Sequence, residues 1–149
     1  MKMNTLPSEV AALVGVIGPV SQGAGAVSTG WVDMALFDQL MAVVNAGVLG
    51  AAATLDAKFE QAQDGAGTGV KDVTGKAITQ FVKASNDDDQ AIINLRAEEL
   101  DVQGGFSFAR ATLTVGAAAS LVSCIVLGFG ASYGPASDND LASVQEIVN

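Results

Sequence analysis

Residues 53–62 alternate without a break: Ala53, Leu55, Ala57, Phe59 and Gln61 fall on one side, Thr54, Asp56, Lys58 and Glu60 on the other. Successive side chains of a β-strand point to opposite faces, so this period of two predicts a half-buried strand with a wet, charged outer face. A lone strand cannot bury its apolar side. It needs partners in a sheet and a second layer to cover that sheet.

The rest of the chain supplies candidates. Residues 106–115 alternate again, with Phe106, Phe108, Arg110, Thr112 and Thr114 on one side and Ser107, Ala109, Ala111, Leu113 and Val115 on the other. Apolar runs at 10–20, 27–36, 72–81, 91–95 and 121–129 also read as strands. Gly15, Gly18 and Pro19 argue against a helix in the first of these, and Trp31 gives the second a bulky core anchor. Residues 37–48 are ambiguous. Phe37, Leu40, Met41, Val44 and Val48 fall at helical spacing, with Asp33 or Asp38 able to cap. The pair Val43-Val44, Gly47 and the adjoining strand favour a strand instead. Turn signals separate the runs at 21–26, 63–70, 85–89 and Gly104-Gly105. The expectation is an all-β fold of one domain over residues 1–149: an antiparallel β-sandwich, jelly-roll-like, with an extended N-terminal arm at 1–9 and an irregular C-terminal tail at 133–149.

Half of the 149 residues are apolar but only 5% are aromatic, so Ala, Val, Leu and Gly must fill a thin core. Charged residues make up 15%, below the roughly 25% of an ordinary domain, which suits a surface partly covered by other subunits. The net charge of −9, with only seven Lys and Arg, argues against nucleic acid as a direct partner. The absence of His removes the commonest general base and metal ligand. Cys124 stands alone in an apolar run and reads as an inert buried thiol. No signal peptide is expected, because Glu9, proline and glycine interrupt the early apolar residues.

Four motifs invite chemistry and fall short of it. The uncharged run 112–131 is long enough to cross a bilayer, but Gly116 and residues 117–120 split it into two β-like halves and no basic cluster flanks it. Asp87-Asp88-Asp89 with Asn86 offers oxygen ligands for Ca²⁺ without EF-hand spacing, and reads as a solvated turn. The glycine-rich residues 65–71 match no phosphate-loop pattern and read as a hairpin loop. Glu98, Glu99 and Asp101 lack a second carboxylate cluster in register, and Arg96 or Arg110 is expected to pair with them. No catalytic, metal-binding or cofactor-binding residue is expected.

The segments G-W-V-D-M (30–34), L-M-A-V-V-N-A-G-V-L-G (40–50), T-L-D-A-K-F-E-Q-A-Q-D-G-A-G-T-G-V-K-D-V-T-G-K-A-I-T (54–79), Q-A-I-I-N-L-R-A-E-E-L-D-V (90–102) and Y-G-P-A-S-D (133–138) together resemble a family of small tailed-bacteriophage proteins encoded near the head genes. The similarity spans nearly the whole chain, and its motifs are structural. It implies a non-enzymatic virion protein on the phage head surface, assembled in the bacterial cytoplasm: a capsid cement or decoration protein, or alternatively a head–tail connector, collar or tail-tube subunit. The implied partners are the major capsid protein and further copies of the chain, as a homotrimer, with no membrane. Met1, Lys2, Met3, Leu6, Tyr133, Pro135 and Asp138 are the expected subunit or capsid contacts. A carbohydrate-binding or hydrolytic β-sandwich is the reading from a different class; it requires exposed aromatic platforms, and the chain has one Trp and one Tyr.

Overall fold

The alternation at 53–62 becomes the strand Thr54–Ala62, and its inward side chains Leu55, Ala57 and Phe59 sit at the centre of the core. The computed structural model describes residues 4–149; the contacts expected at Met1, Lys2 and Met3 lie outside the described residues. Ten strands are present among these: β1 (Ala11–Gln22), β2 (Gly25–Ser28), β3 (Val32–Asp33), β4 (Phe37–Ala46), β5 (Thr54–Ala62), β6 (Lys71–Ala77), β7 (Phe81–Val82), β8 (Gln90–Arg96), β9 (Phe108–Gly116) and β10 (Ser120–Ala131). A single helical turn, α1 (Pro7–Val10), precedes them, and 3₁₀ turns occupy Ala97–Glu99 and Ala136–Asn139.

The strands form two antiparallel sheets. One runs β1-β10-β4-β8; the other runs β2-β9-β5-β6, with the short β3 beside β9 and β7 beside β5. Setting β3 and β7 aside, the first sheet takes the first, eighth, third and sixth strands, and the second takes the second, seventh, fourth and fifth. That winding of two Greek keys is a jelly roll, as the sequence pattern predicts. The core between the sheets joins Leu40, Val44, Leu95, Cys124 and Val126 from the first to Leu55, Phe59, Leu113 and Val115 from the second. Alanines at 12, 42, 46, 57, 109 and 111 occupy further inward positions.

The ambiguous residues 37–48 form a strand through Ala46. From Leu40 on, alternate residues Leu40, Ala42, Val44 and Ala46 are buried, the periodicity of a sheet rather than a helix. Gly128 on β10 lets the Phe37 ring lie across the neighbouring backbone, since a Cβ there would come within 2.7 Å of the ring. The uncharged run 112–131 folds as two strands, β9 and β10, turning at residues 117–119. Among the described residues no helix is long and apolar enough to cross a membrane.

Several boundaries differ from the sequence reading, each for a local reason. β1 continues through Gly18-Pro19 because its register with β10 shifts between Ile17 and Val20. A proline without an N–H is tolerated at such an irregularity. The loop expected at 21–26 therefore shrinks to Gly23-Ala24. The strand expected at 27–36 breaks into β2 and β3: Ser28 faces Thr112 and Val32 faces Ala109, so four steps on one strand oppose three on the other. This bulge, closed by Thr29 Oγ1 accepting from the Ala111 N–H at 3.1 Å, leaves Trp31 on the outer surface and not in the core. The strand expected at 72–81 is likewise interrupted, with Gly75 at φ +76° and β6 and β7 pairing with different parts of β5. Within the expected extended arm, residues 7–9 instead belong to α1, where Pro7 suits the first helical position.

Candidate interaction surfaces

The outer face of the second sheet is a closed polar network. Glu60 and Arg110 stand opposite each other on β5 and β9, and Arg110 Nε donates to Glu60 Oε2 at 2.8 Å. The Thr112 hydroxyl donates to the same oxygen at 2.9 Å, and Lys58 Nζ lies 3.4 Å from Glu60 and 2.6 Å from Asp72. The Arg110 guanidinium stacks 4.4 Å from the Trp31 ring. Trp31 in turn packs over Gly67, where φ is +85° and a Cβ would approach the indole nitrogen to 3.0 Å, so two constraints select glycine there. Glu60, expected on a wet face, is only 9% exposed. Burial pushes its carboxyl up. The hydrogen bonds from Arg110 and Thr112 and the charges of Arg110 and Lys58 outweigh that and hold it below the ordinary range. The hydrogen bond to Asp72 raises Lys58 against the opposing effect of burial.

The outer face of the first sheet is its chemical opposite. Register places Val16, Ile125, Val43 and Ile92 in one row across all four strands, with Leu13, Leu127, Met41 and Asn94 in the next. Val16, Ile125 and Ile92 are 39%, 44% and 59% exposed, and neither row carries a charge. Contiguous apolar surface of this kind marks a packing site. The low charge suits a face covered by other subunits, but the sequence does not locate it, because β1, β4 and β10 look like fully apolar runs. A signal was present: in a two-layer sandwich only one side of a strand meets the core, so a run apolar on both sides must turn half of its side chains outward.

The terminal segments meet at one corner, beside β1. α1 packs against the Ala136–Asn139 turn, and Ala136 is buried. Asp140 Oδ1 accepts from the Leu13 N–H at 2.7 Å, and the Leu141 N–H donates to the Leu13 carbonyl at 2.9 Å. The chain thus covers the edge of β1 at Leu13 with its own C-terminal segment. Of the expected contact residues, Leu6 is 42% and Tyr133 78% exposed; Pro135 and Asp138 are also exposed, the first just before the same turn and the second within it.

The tempting motifs resolve into local pairs. Asp87 binds Lys83 at 2.6 Å and the Leu49 N–H at 2.9 Å, while Asp89 accepts from Asn86 at 3.0 Å; the three carboxylates do not converge. The loop after β5 is a hairpin turn closed by Asp64, which accepts from the Ala66 and Thr68 N–H groups and the Thr68 hydroxyl. Glu98 pairs with Arg96, as expected, whereas Arg110 goes to Glu60; Glu99 pairs with Lys76 and Asp101 with Lys71. Cys124 is 1% exposed, and burial pushes its thiol up to about 11. Of the two candidate aromatic platforms, Trp31 carries the Arg110 guanidinium and Tyr133 is exposed.

No protein-family model matches the sequence, and neither does any curated protein. Among solved structures, a chain of the cowpea mosaic virus empty virus-like particle is similar at 8% identity and a TM-score of 0.46, over 92% of this chain and 88% of that one. A chain of Triatoma virus is similar at 9% identity and a TM-score of 0.42, over 91% and 72%. A chain of the disulfide-linked pili of Bacillus endospore appendages is similar at 16% identity and a TM-score of 0.35, over 89% and 100%.

Proposed function

We propose that this chain is a structural virion protein of a tailed bacteriophage, a capsid cement or decoration subunit that binds the outside of the mature head and stabilises it. The observation that carries the assembly role is the uncharged aliphatic row Val16–Ile125–Val43–Ile92, open across a whole sheet. A surface of that width on a chain of net charge −9 suits packing against another protein. The placement on a phage head rests on the family resemblance of the sequence segments.

Major capsid protein and further copies of the chain are the partners in this reading, the copies gathered as trimers at three-fold positions of the shell. Symmetry multiplies a modest contact into a large total, and selective binding to the mature lattice stabilises that lattice by mass action. The corner formed by Leu6, Tyr133, Pro135 and Asp138 is where we place the three-fold and capsid contacts. The test is the copy number of the protein in purified virions of the encoding phage. Copies in proportion to the capsid lattice, with heads that weaken when the protein is stripped off, support cement. One ring's worth of copies transfers the role to a connector, collar or tail-tube subunit, and absence from the particle overturns the reading.

A further inference from the structure

β8 ends its sheet, and among the described residues it pairs only with β4. Its hydrogen-bonding phase follows from two contacts. The Ala46 N–H donates to the Asp89 carbonyl at 2.9 Å, so Asp89, Ala91, Ile93 and Leu95 turn their backbone groups toward β4. The Arg96 N–H goes the other way, to Glu99 Oε2 at 2.8 Å. In antiparallel strands these directions alternate, so Gln90, Ile92 and Asn94 present N–H and C=O groups outward along a segment free of Pro, Gly and Lys. At the opposite edge of the same sheet, Asp140 and Leu141 occupy the outward N–H and C=O of Leu13 on β1.

We propose that the β8 edge pairs antiparallel with β8 of a second copy about a two-fold axis at Ile92. This register sets Ile92 against Ile92 and Gln90 against Asn94, joining every outward amide still free on the strand. It brings Arg96 of each copy toward Asp88 of the other, opposite charges at the two ends of the contact. It also makes the row Val16–Ile125–Val43–Ile92 continuous through the axis, and so covers the most exposed isoleucine of the chain. An isologous contact of this kind closes on itself, leaving no β8 edge for a third copy. It lies across the sheet from the terminal corner, and it does not depend on the virion role.

The test is register-specific disulfide trapping in the full chain. Residues facing each other in a hydrogen-bonded antiparallel pair have Cα atoms about 5.5 Å apart, within disulfide reach. Buried Cys124 contributes no competing thiol. Under mild oxidation Ile92→Cys is expected to become mostly a linked pair. Asn94→Cys alone, displaced from its own copy across the axis, is expected to stay unlinked, and Gln90→Cys with Asn94→Cys to link again. In sedimentation the unmodified chain is expected to contain pairs that Ile92→Lys abolishes; Ile92 is exposed, so its circular dichroism should be unchanged. Failure of folded Ile92→Cys to link, equal linking by Asn94→Cys, or a chain that sediments only as a 15.0 kDa monomer would each overturn the proposal. The last outcome would leave the edge to an extended segment of a different protein.

Discussion

Replacing Arg110 with Met tests whether the polar network on the second sheet holds that face together. Methionine keeps an unbranched stem against Trp31 and removes the cation. Lost with it are the 2.8 Å bond to Glu60 and the guanidinium over Trp31. A hydrogen bond to a charged group contributes about 1.5–3 kcal/mol, and an exposed cation–π contact about 0.5–1 kcal/mol. Breaking a fully buried pair costs roughly 3–5 kcal/mol, but Lys58 still stands 3.4 Å from Glu60 and the Arg110 side chain is 27% exposed. The expected loss is therefore about 2–3 kcal/mol, or a Tm lower by roughly 4–12 °C for a chain of this size.

Urea titrations of the single variants Arg110→Met and Glu60→Gln and of the double variant give the coupling energy, expected at about 1–2 kcal/mol. The pH dependence follows from the direction of the Glu60 shift. A carboxyl held below its ordinary 4.5 contributes stability above that value and loses it as pH falls through the folded pKa. The gap between the unmodified chain and Arg110→Met should therefore be widest near neutrality and narrow below 4.5. A loss under about 0.5 kcal/mol at neutral pH, the range of an ordinary surface change, would refute the reasoning. So would a gap that stays constant into acid.

Gly128→Ala drives a Cβ into the Phe37 ring and should cost about 1–3 kcal/mol by overpacking, read as a lower urea midpoint with unchanged slope. Ala117 holds φ at +69° in the turn between β9 and β10, so Ala117→Gly should relieve strain and raise stability by about 1 kcal/mol in the same titration. Asp140→Ala removes the acceptor for the Leu13 N–H; faster hydrogen exchange at Leu13 and earlier proteolytic trimming of the C-terminus should follow, at a global cost of about 1 kcal/mol. Cys124, with its thiol pushed up to about 11, should resist thiol reagents in the folded chain at mildly alkaline pH and react at once in denaturant.

The sequence by itself determined the elements whose cause is local. β5 and β9 follow from strict alternation, the hairpin loop after β5 from Asp64 and its glycines, and the acidic turn before β8 from residues 85–89. The balance of β-branched residues in 37–48 was enough to favour a strand over a helix. The antiparallel sandwich was legible too, because amphipathic strands separated by turn residues have few other ways to bury one face each. Tertiary structure decided what depends on partners far along the chain. One extra residue opposite β9 carried Trp31 from the core to the surface, and no local pattern encodes the count on another strand. Glu60 became a buried carboxylate only because Arg110, 50 positions away, sits across from it. The apolar runs of β1, β4 and β10 do not record which side meets the core. Strand periodicity tells a side chain that it has a face, whereas the identity of whatever covers that face belongs to the assembled sheets.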